Sequence, residues 1–134
     1  MKNQSVKRNY AAEIIQIIDD AKKEHARLAK EHKYLDEEYN DLIHALEFLK
    51  LNAAELVIKA GEVKRNREAR RHCKEMLELN GCFIKWCDDQ TGALFELKRA
   101  AQSAEAFKKA QSNRIYTPRI HTELTQRFRR DTRR

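Results

Sequence analysis

The sequence has few of the residues that interrupt a helix. Its 134 residues include one proline and three glycines, and neither type occurs before Gly61. Nothing in the first 60 residues therefore obliges the backbone to leave a helical conformation. Aromatic residues make up only 7% of the chain, whereas 37% of its residues are charged, which suits extended, solvated helices better than a compact globule. The composition predicts a single all-α domain.

Other absences narrow the class of protein. The chain has no run of 18 apolar residues, and its first ten residues contain no apolar signal segment. We therefore expect a soluble, cytoplasmic protein. Three cysteines, an odd number, favour reduced thiols over a disulfide framework. No spacing pairs a nucleophile with a base or assembles carboxylates, so the sequence predicts a non-enzymatic protein without a cofactor.

An apolar stripe with alternating spacings of four and three residues runs from Ile14 to Val63. Such a heptad stripe is too narrow to bury itself and requires a second helix, from this chain or from another copy. The sequence therefore predicts a long-helix coiled coil or a helical hairpin that also forms homo-oligomers. The side chains predicted to form the interaction seam are Ile14, Ile18, Leu28, Leu35, Tyr39, Leu42, Leu46, Leu49, Leu56 and Val63.

The sequence also indicates where the first two helices begin and end. We expect a first helix from about Lys7 to about Leu51, with an interruption near residues 33–37 left open. Asn52 and Glu55 resemble a capping box that would start a new helix, whereas the undisturbed heptad phase favours continuation, and both readings stay open. The next helix is predicted to end near Leu79, because the following Asn-Gly pair is typical of helix C-termini.

The C-terminal third is predicted to contain another helix and a basic tail. Asp88 or Asp89 could cap a helix from about Gln90 to Ser112. Pro118 disfavours helix just before it, and a short helix could follow around residues 120–129. We therefore divide the chain into a helical domain, residues 1–112, and an arginine-rich tail, residues 113–134. Charge repulsion predicts that the end of the tail, residues 127–134, is not ordered on its own.

Two groups of residues could bind a metal ion or a proton. His25 and His32 share one face of the stripe, which would suit a pH-sensitive or metal-assisted seam, although solvated or hydrogen-bonded histidines are the simpler interpretation. Four potential metal ligands lie close together in the sequence, but their spacing departs from established zinc motifs. Buried cysteines that pack as small apolar residues are the favoured interpretation. These four residues are His72, Cys73, Cys82 and Cys87.

Positive charge is concentrated in two segments. Residues 64–74 and residues 114–134 each carry a net charge of +5, within a chain of net charge +7. Such clusters suggest an acidic partner surface or a polyanion, and arginine suits the planar recognition of phosphate or carboxylate. The predicted partner-binding residues are Lys64, Arg65, Arg67, Arg70, Arg71, Lys74, Arg114, Arg119, Arg127, Arg129 and Arg130.

Nucleic-acid binding is the alternative function for these basic clusters. About ten basic side chains would give salt-dependent affinity for phosphates, but no known nucleic-acid-binding signature is visible and aromatic residues are scattered. A third interpretation is that the basic helix face pairs with acidic residues of the same or a neighbouring chain. Those acidic residues are Asp36, Glu37, Glu38, Asp41 and Glu47.

Three phrases together carry a resemblance to a known group of proteins. They are LIHALEF at residues 42–48, RNREARRHCKEMLEL at 65–79 and RIYTPRIHTEL at 114–124. With them, the chain resembles small, functionally unassigned helical proteins of Firmicutes phages and prophages, from which it departs by its extra cysteines. The resemblance implies a phage-borne accessory protein that binds and inhibits or redirects a host protein. Tyr116, Pro118 and Arg119 would then be candidate recognition residues.

Overall fold

The computed structural model describes residues 6–132, and over that range the chain is helical without any strand. Three long helices, α1 (Tyr10–Phe48), α2 (Ala53–Asp89) and α3 (Thr91–Ser112), are followed by a single 3₁₀ turn (Thr122–Leu124) and the short α4 (Thr125–Thr132). The prediction of an all-α protein is therefore confirmed. No helix within the described range is long and apolar enough to cross a membrane.

The break between α1 and α2 resolves the two readings at Asn52. Its side chain accepts a hydrogen bond from the backbone N of Glu55 at 2.9 Å, so Asn52 caps α2. Of the two readings left open by the sequence, the structure has the new helix start and not the continuing helix. By contrast, α1 runs without interruption through residues 33–37.

Two other predicted boundaries differ from the structure. Helix α2 does not end near Leu79 but continues through Asn80 and Gly81 to Asp89, and Gly81 does not have a positive φ. An Asn-Gly pair only permits a helix to end, and here the helix continues. Helix α3 ends at Ser112, as predicted, although it starts after Gln90 rather than at an aspartate cap.

The chain divides into two compact units, and one of them, Gln16–Thr91, contains most of α1 and all of α2. Here the two helices run antiparallel. The buried Asn66 donates its side-chain Nδ2 to the backbone O of Leu35 at 3.0 Å and to Glu38 Oε1 at 2.9 Å. One heptad away, the Cys73 thiol donates to the backbone O of Leu28 at 3.1 Å. Leu28, Leu35 and Cys73 form a buried cluster, against which Ala69, Met76 and Leu77 pack.

The predicted seam is buried only in part. Ile18, Leu28, Leu35 and Leu42 are buried, and Tyr39, Leu46 and Val63 are half-buried. Ile14, Leu49 and Leu56, which were predicted to belong to the same seam, are exposed. Leu49 lies beyond the end of α1, and the new start of α2 changes the direction in which Leu56 points. The residues of α2 that face inward include Asn66, Ala69, Cys73, Met76 and Leu77.

The second unit contains the described residues up to Ile15 and those from Gly92 onward. Asn9 caps α1 by accepting from the backbone N of Ala12 at 3.2 Å, and it donates to the backbone O of Ala101 in α3 at 2.9 Å. In the tail, Pro118 is buried and the Tyr116 and Phe128 rings meet edge to face, with centroids 5.2 Å apart. The short helix expected around residues 120–129 is present as α4, which spans Thr125–Thr132, while Arg133 and Arg134 lie outside the described residues.

Replacing a buried leucine tests the core of the Gln16–Thr91 unit. We expect Leu28→Ala to lower the free energy of unfolding by about 2 to 5 kcal/mol, because it removes buried methyl groups and leaves a cavity. Leu79→Ala is the matched control, since Leu79 is exposed on α2, and its effect should be about 0.5 kcal/mol or less. Urea denaturation followed by circular dichroism measures both. Equal losses for the two variants would contradict the assigned core.

The cap at Asn52 provides a second test. Asn52→Ala should lower the free energy of unfolding by about 1 kcal/mol, because the backbone N of Glu55 loses its acceptor. Asn52→Gly should cost only a few tenths of that amount, at roughly 0.3 kcal/mol. The same denaturation experiment compares them. If α1 and α2 were one continuous helix in solution, glycine would be the more damaging of the two residues.

Candidate interaction surface

One side of α2 carries a row of exposed basic side chains. Lys64, Arg67, Arg71 and Lys74 follow one another at intervals of three, four and three residues, which places them on the same face of the helix. We call these four residues the basic face, and it extends for about 15 Å along the helix axis. Because Asn66 and Cys73 point into the core, the basic face is turned to solvent. Arg65, the neighbour of Lys64, points about 100° away from it.

A depression of about 250 Å³ lies over this face. It is lined by His32 of α1 and by four basic residues of α2, namely Arg67, Arg70, Arg71 and Lys74. Both helices of the unit therefore contribute to the surface. The antiparallel register set by Asn66 and Cys73 brings His32 and these residues together, although 35 or more positions separate them in the sequence.

Asp36 contacts two of the residues that line the depression, Arg70 and His32. Its carboxylate forms an ion pair with Arg70, with Oδ1 2.6 Å from Nη2. His32 Nδ1 lies 3.4 Å from the other carboxylate oxygen. The Arg70 guanidinium also lies over the Tyr39 ring, 4.7 Å from its centroid. Arg70 is thus fixed in place by α1.

Unlike Arg70, the four cations of the basic face have no such partner among the described residues. Between residues 6 and 132, no carboxylate oxygen lies within 4.0 Å of the charged atoms of the basic face. Of the five acidic residues expected to neutralise this segment, only Asp36 forms an ion pair with it. Glu38 instead accepts a hydrogen bond from Asn66. The interpretation of a basic helix face paired within the chain therefore applies to Arg70 alone.

The arginines of the tail belong to the other unit and differ in how they are paired. Arg127 and Arg130 both contact Asp131, at 3.5 and 3.2 Å. Among the described residues, Arg114, Arg119 and Arg129 form no ion pair and are exposed. Of the candidate recognition residues, Tyr116 and Arg119 are exposed, whereas the buried Pro118 contributes to packing. An accessible contact role is therefore ruled out for Pro118 in this conformation.

The two seam histidines have different surroundings. His32 lies beside Asp36, whereas His25 is half-buried and its Nδ1 has no hydrogen-bond partner. His25 also lies against α2, since a Cβ added at Gly81 would be 3.8 Å from its Cε1. The two rings therefore face different groups on α2 rather than forming one shared site.

The cysteines are separated by their environments. Cys73 and Cys87 are buried, whereas Cys82 is exposed and His72 is also exposed. In the part of the chain that the structure describes, no group of three or more His, Cys, Asp or Glu side chains is arranged to hold a metal ion. Burial raises the pKa of the Cys73 thiol above its ordinary value, and the Glu31 carboxylate acts in the same direction. Cys73 thus behaves as a small buried residue that also donates a hydrogen bond.

Asn66 is the important residue that sequence reasoning missed. It lies inside the segment KRNREARRHCK, where its charged neighbours dominate the pattern. The available signal was its spacing of seven residues from Cys73, which is the heptad interval. Asp36 was recognised only as one member of an acidic stretch. Its pairing with Arg70 could not be derived without the register of the two helices.

Comparison with known proteins adds no further assignment. No protein-family model, curated protein or solved structure matches the chain.

The burial of the cysteines predicts their reactivity. In the native protein, one of the three thiols should react rapidly with a thiol-specific disulfide reagent, because only Cys82 is exposed. Cys82→Ser should abolish the rapid phase, and Cys73→Ser should leave it unchanged. Spectrophotometric titration at neutral pH measures the number of rapid thiols. Three reactive thiols in urea provide the control, and two or more in the native protein would contradict the structure.

Proposed function

We propose that this chain is a non-enzymatic helical interaction protein that binds an acidic surface of a partner protein and modulates that partner. The observation that supports the proposal is the basic face, whose four cations are exposed and lack a carboxylate within ion-pairing distance in the described residues. A phage-borne accessory protein acting on a host protein, which the sequence resemblance implies, would use such a surface. The chain would modulate the partner protein by occupying the partner's acidic site.

The unpaired basic face has a cost for the isolated chain. Like charges three or four residues apart on a helix destabilise it by about 0.2 to 0.5 kcal/mol for each pair. Arg67 and Arg71, and Arg71 and Lys74, are such pairs. Carboxylates supplied by a partner would relieve this repulsion. Glu68, Glu75 and Glu78 lie three or four residues from these cations and offset part of the repulsion, and binding would offset more of it.

The helix pair supplies a rigid support for the surface. In this proposal α1 and α2 form an intramolecular antiparallel coiled-coil hairpin, and the contacts of Asn66 and Cys73 with α1 fix the rotation of α2. The ion pair between Arg70 and Asp36 holds one guanidinium before the partner arrives. Side chains already held in position lose less entropy on binding.

Nucleic-acid binding is the second candidate, and the exposed guanidinium groups of Arg67 and Arg71 favour it. Arginine forks bind phosphate as well as carboxylate. A single-stranded ligand would also use aromatic rings for stacking. The Tyr39 ring beside the depression is instead covered by Arg70. This contact makes an acidic protein surface the better-supported ligand.

Charge reversal on the basic face tests the proposal. The variant Arg67→Glu/Arg71→Glu/Lys74→Glu should bind a labelled poly-glutamate probe at least about tenfold more weakly than the parent protein, a change of about 1.4 kcal/mol. The matched control is Lys22→Glu/Lys23→Glu/Lys30→Glu, which changes the net charge equally at exposed positions of α1. Fluorescence anisotropy at fixed ionic strength measures both affinities.

A capture experiment identifies the class of partner. Tagged parent, variant and control are incubated with bacterial lysate, with and without nuclease. We expect a discrete protein that survives nuclease treatment and is retained by the parent and the control but not by the variant. Material that disappears on nuclease treatment would instead favour nucleic acid. Equal retention by all three proteins would refute a role for the basic face.

A further inference from the structure

Large apolar side chains are exposed at the connection between α1 and α2. Five of them lie within eleven consecutive residues and are between 45% and 72% exposed. We call this group the tip patch, and it consists of Phe48, Leu49, Leu56, Val57 and Ile58. All five belong to the Gln16–Thr91 unit. Two of them, Leu49 and Leu56, are the stripe positions that the α1–α2 contact leaves uncovered.

The local helix geometry explains why one chain cannot bury the tip patch. The connection has only four residues, 49–52, and the Asn52 cap fixes where α2 starts. Leu56, Val57 and Ile58 are consecutive, so each points about 100° from the next around the helix. They cannot all face α1 at once. The chain therefore places apolar surface on sides of α2 that its own helices do not cover.

The exposed area of the tip patch is close to the smallest area found in stable protein interfaces. Taking roughly 100 Å² of accessible surface for each half-exposed large side chain gives about 500 Å² for one copy. That value lies near the upper end for a patch on a monomeric protein, about 300 to 600 Å². Two such patches would remove at most about 1,000 Å² from water, if all five side chains of each copy were covered, and this equals the minimum for a specific protein interface.

The charges around the tip patch favour a second copy of this chain over an acidic protein or an anionic membrane. Residues 43–61 contain Glu47, Lys50, Glu55 and Lys59, for a net charge of zero, whereas the whole chain carries +7. An acidic partner would be attracted to the basic segments instead, and the patch has no excess of cations to contact an anionic membrane. Lys59 is held by Glu62 at 3.0 Å, which leaves Lys50 and two glutamates for pairing across an interface.

We propose that the tip patch is a homodimer interface, where two copies meet tip to tip about a twofold axis. A twofold interface requires a surface that is complementary to itself. The tip patch meets this requirement with an apolar centre and charges of both signs at its edge, so that Lys50 of each copy can approach a glutamate of the other. The association does not use the basic face. A dimer would instead present two basic faces, and binding to a repeated target would gain from this bivalency.

The experiment is sedimentation equilibrium of the full chain over a wide concentration series. We expect the parent protein to dimerise reversibly, and Val57→Glu to raise the dimer dissociation constant at least about tenfold, because it places a charge at the centre of an apolar interface. Leu79→Glu is the matched control, since Leu79 is similarly exposed, at 69%, on the same helix but outside the tip patch. It should dimerise like the parent.

A crosslinking experiment tests the twofold arrangement directly. In a Cys82→Ser background, Val57→Cys should form a disulfide-linked dimer under mild oxidation, and Leu79→Cys should not. Circular dichroism checks that every variant keeps its helical content. The proposal is overturned by a parent that stays monomeric at all concentrations, by a folded Val57→Glu variant that dimerises unchanged, or by equal weakening in Leu79→Glu. The basic-face triple variant should still dimerise, which separates this proposal from the proposed function.

Discussion

The register between α1 and α2 is the constraint on which the other features of their unit depend. Two side-chain to backbone contacts set it, from Asn66 to the O of Leu35 and from Cys73 to the O of Leu28. Both steps are seven residues, so one antiparallel alignment satisfies both contacts. An aliphatic stripe repeats every heptad and would tolerate a slip, and so would contacts to backbone oxygens. A slip of one heptad would, however, separate Arg70 from Asp36, because positions 29 and 43 are alanine and isoleucine. The same alignment fixes the rotation of α2, and with it the position of Arg70 opposite Asp36.

The sequence predicted those parts of the fold that follow from strong local patterns. The leucine row of α1 follows from periodicity, and α3 ends at Ser112 as expected. The cap at Asn52 was one of two readings that the sequence left open. The inward side of α2 was not recognised because part of it consists of small and polar residues, namely Asn66, Ala69 and Cys73. Their burial depends on the partner helix rather than on hydrophobic periodicity. The Asn-Gly pair wrongly predicted the end of α2 near Leu79. The helix continues through both residues, although asparagine and glycine have low intrinsic helix propensities.

The sequence predicted which segment is basic, but not how the side chains of that segment are arranged on the folded protein. Residues 64–74 were identified from charge alone, and helical spacing separates Arg65 from the basic face. Which cation is paired within the chain could not be derived, because Asp36 lies 34 positions before Arg70 and either of its neighbours, Glu37 or Glu38, would have been an equally reasonable partner. The tail shows the same limit. Repulsion among its arginines was evident, whereas the contacts of Asp131 and the packing of Pro118 depend on the folded conformation.

The four-residue connection between α1 and α2 also bears on how the unit folds. Closing a short loop carries little entropic cost, and the cost rises with the number of residues enclosed. The contact between Asn66 and Leu35 encloses 31 positions along the chain, and the contact between Cys73 and Leu28 encloses 45. Each contact shortens the loop that the next one must close. We therefore expect the helices to pair first beside Asn52 and to zip outward, so that Asn66 is in place before Cys73 reaches its carbonyl.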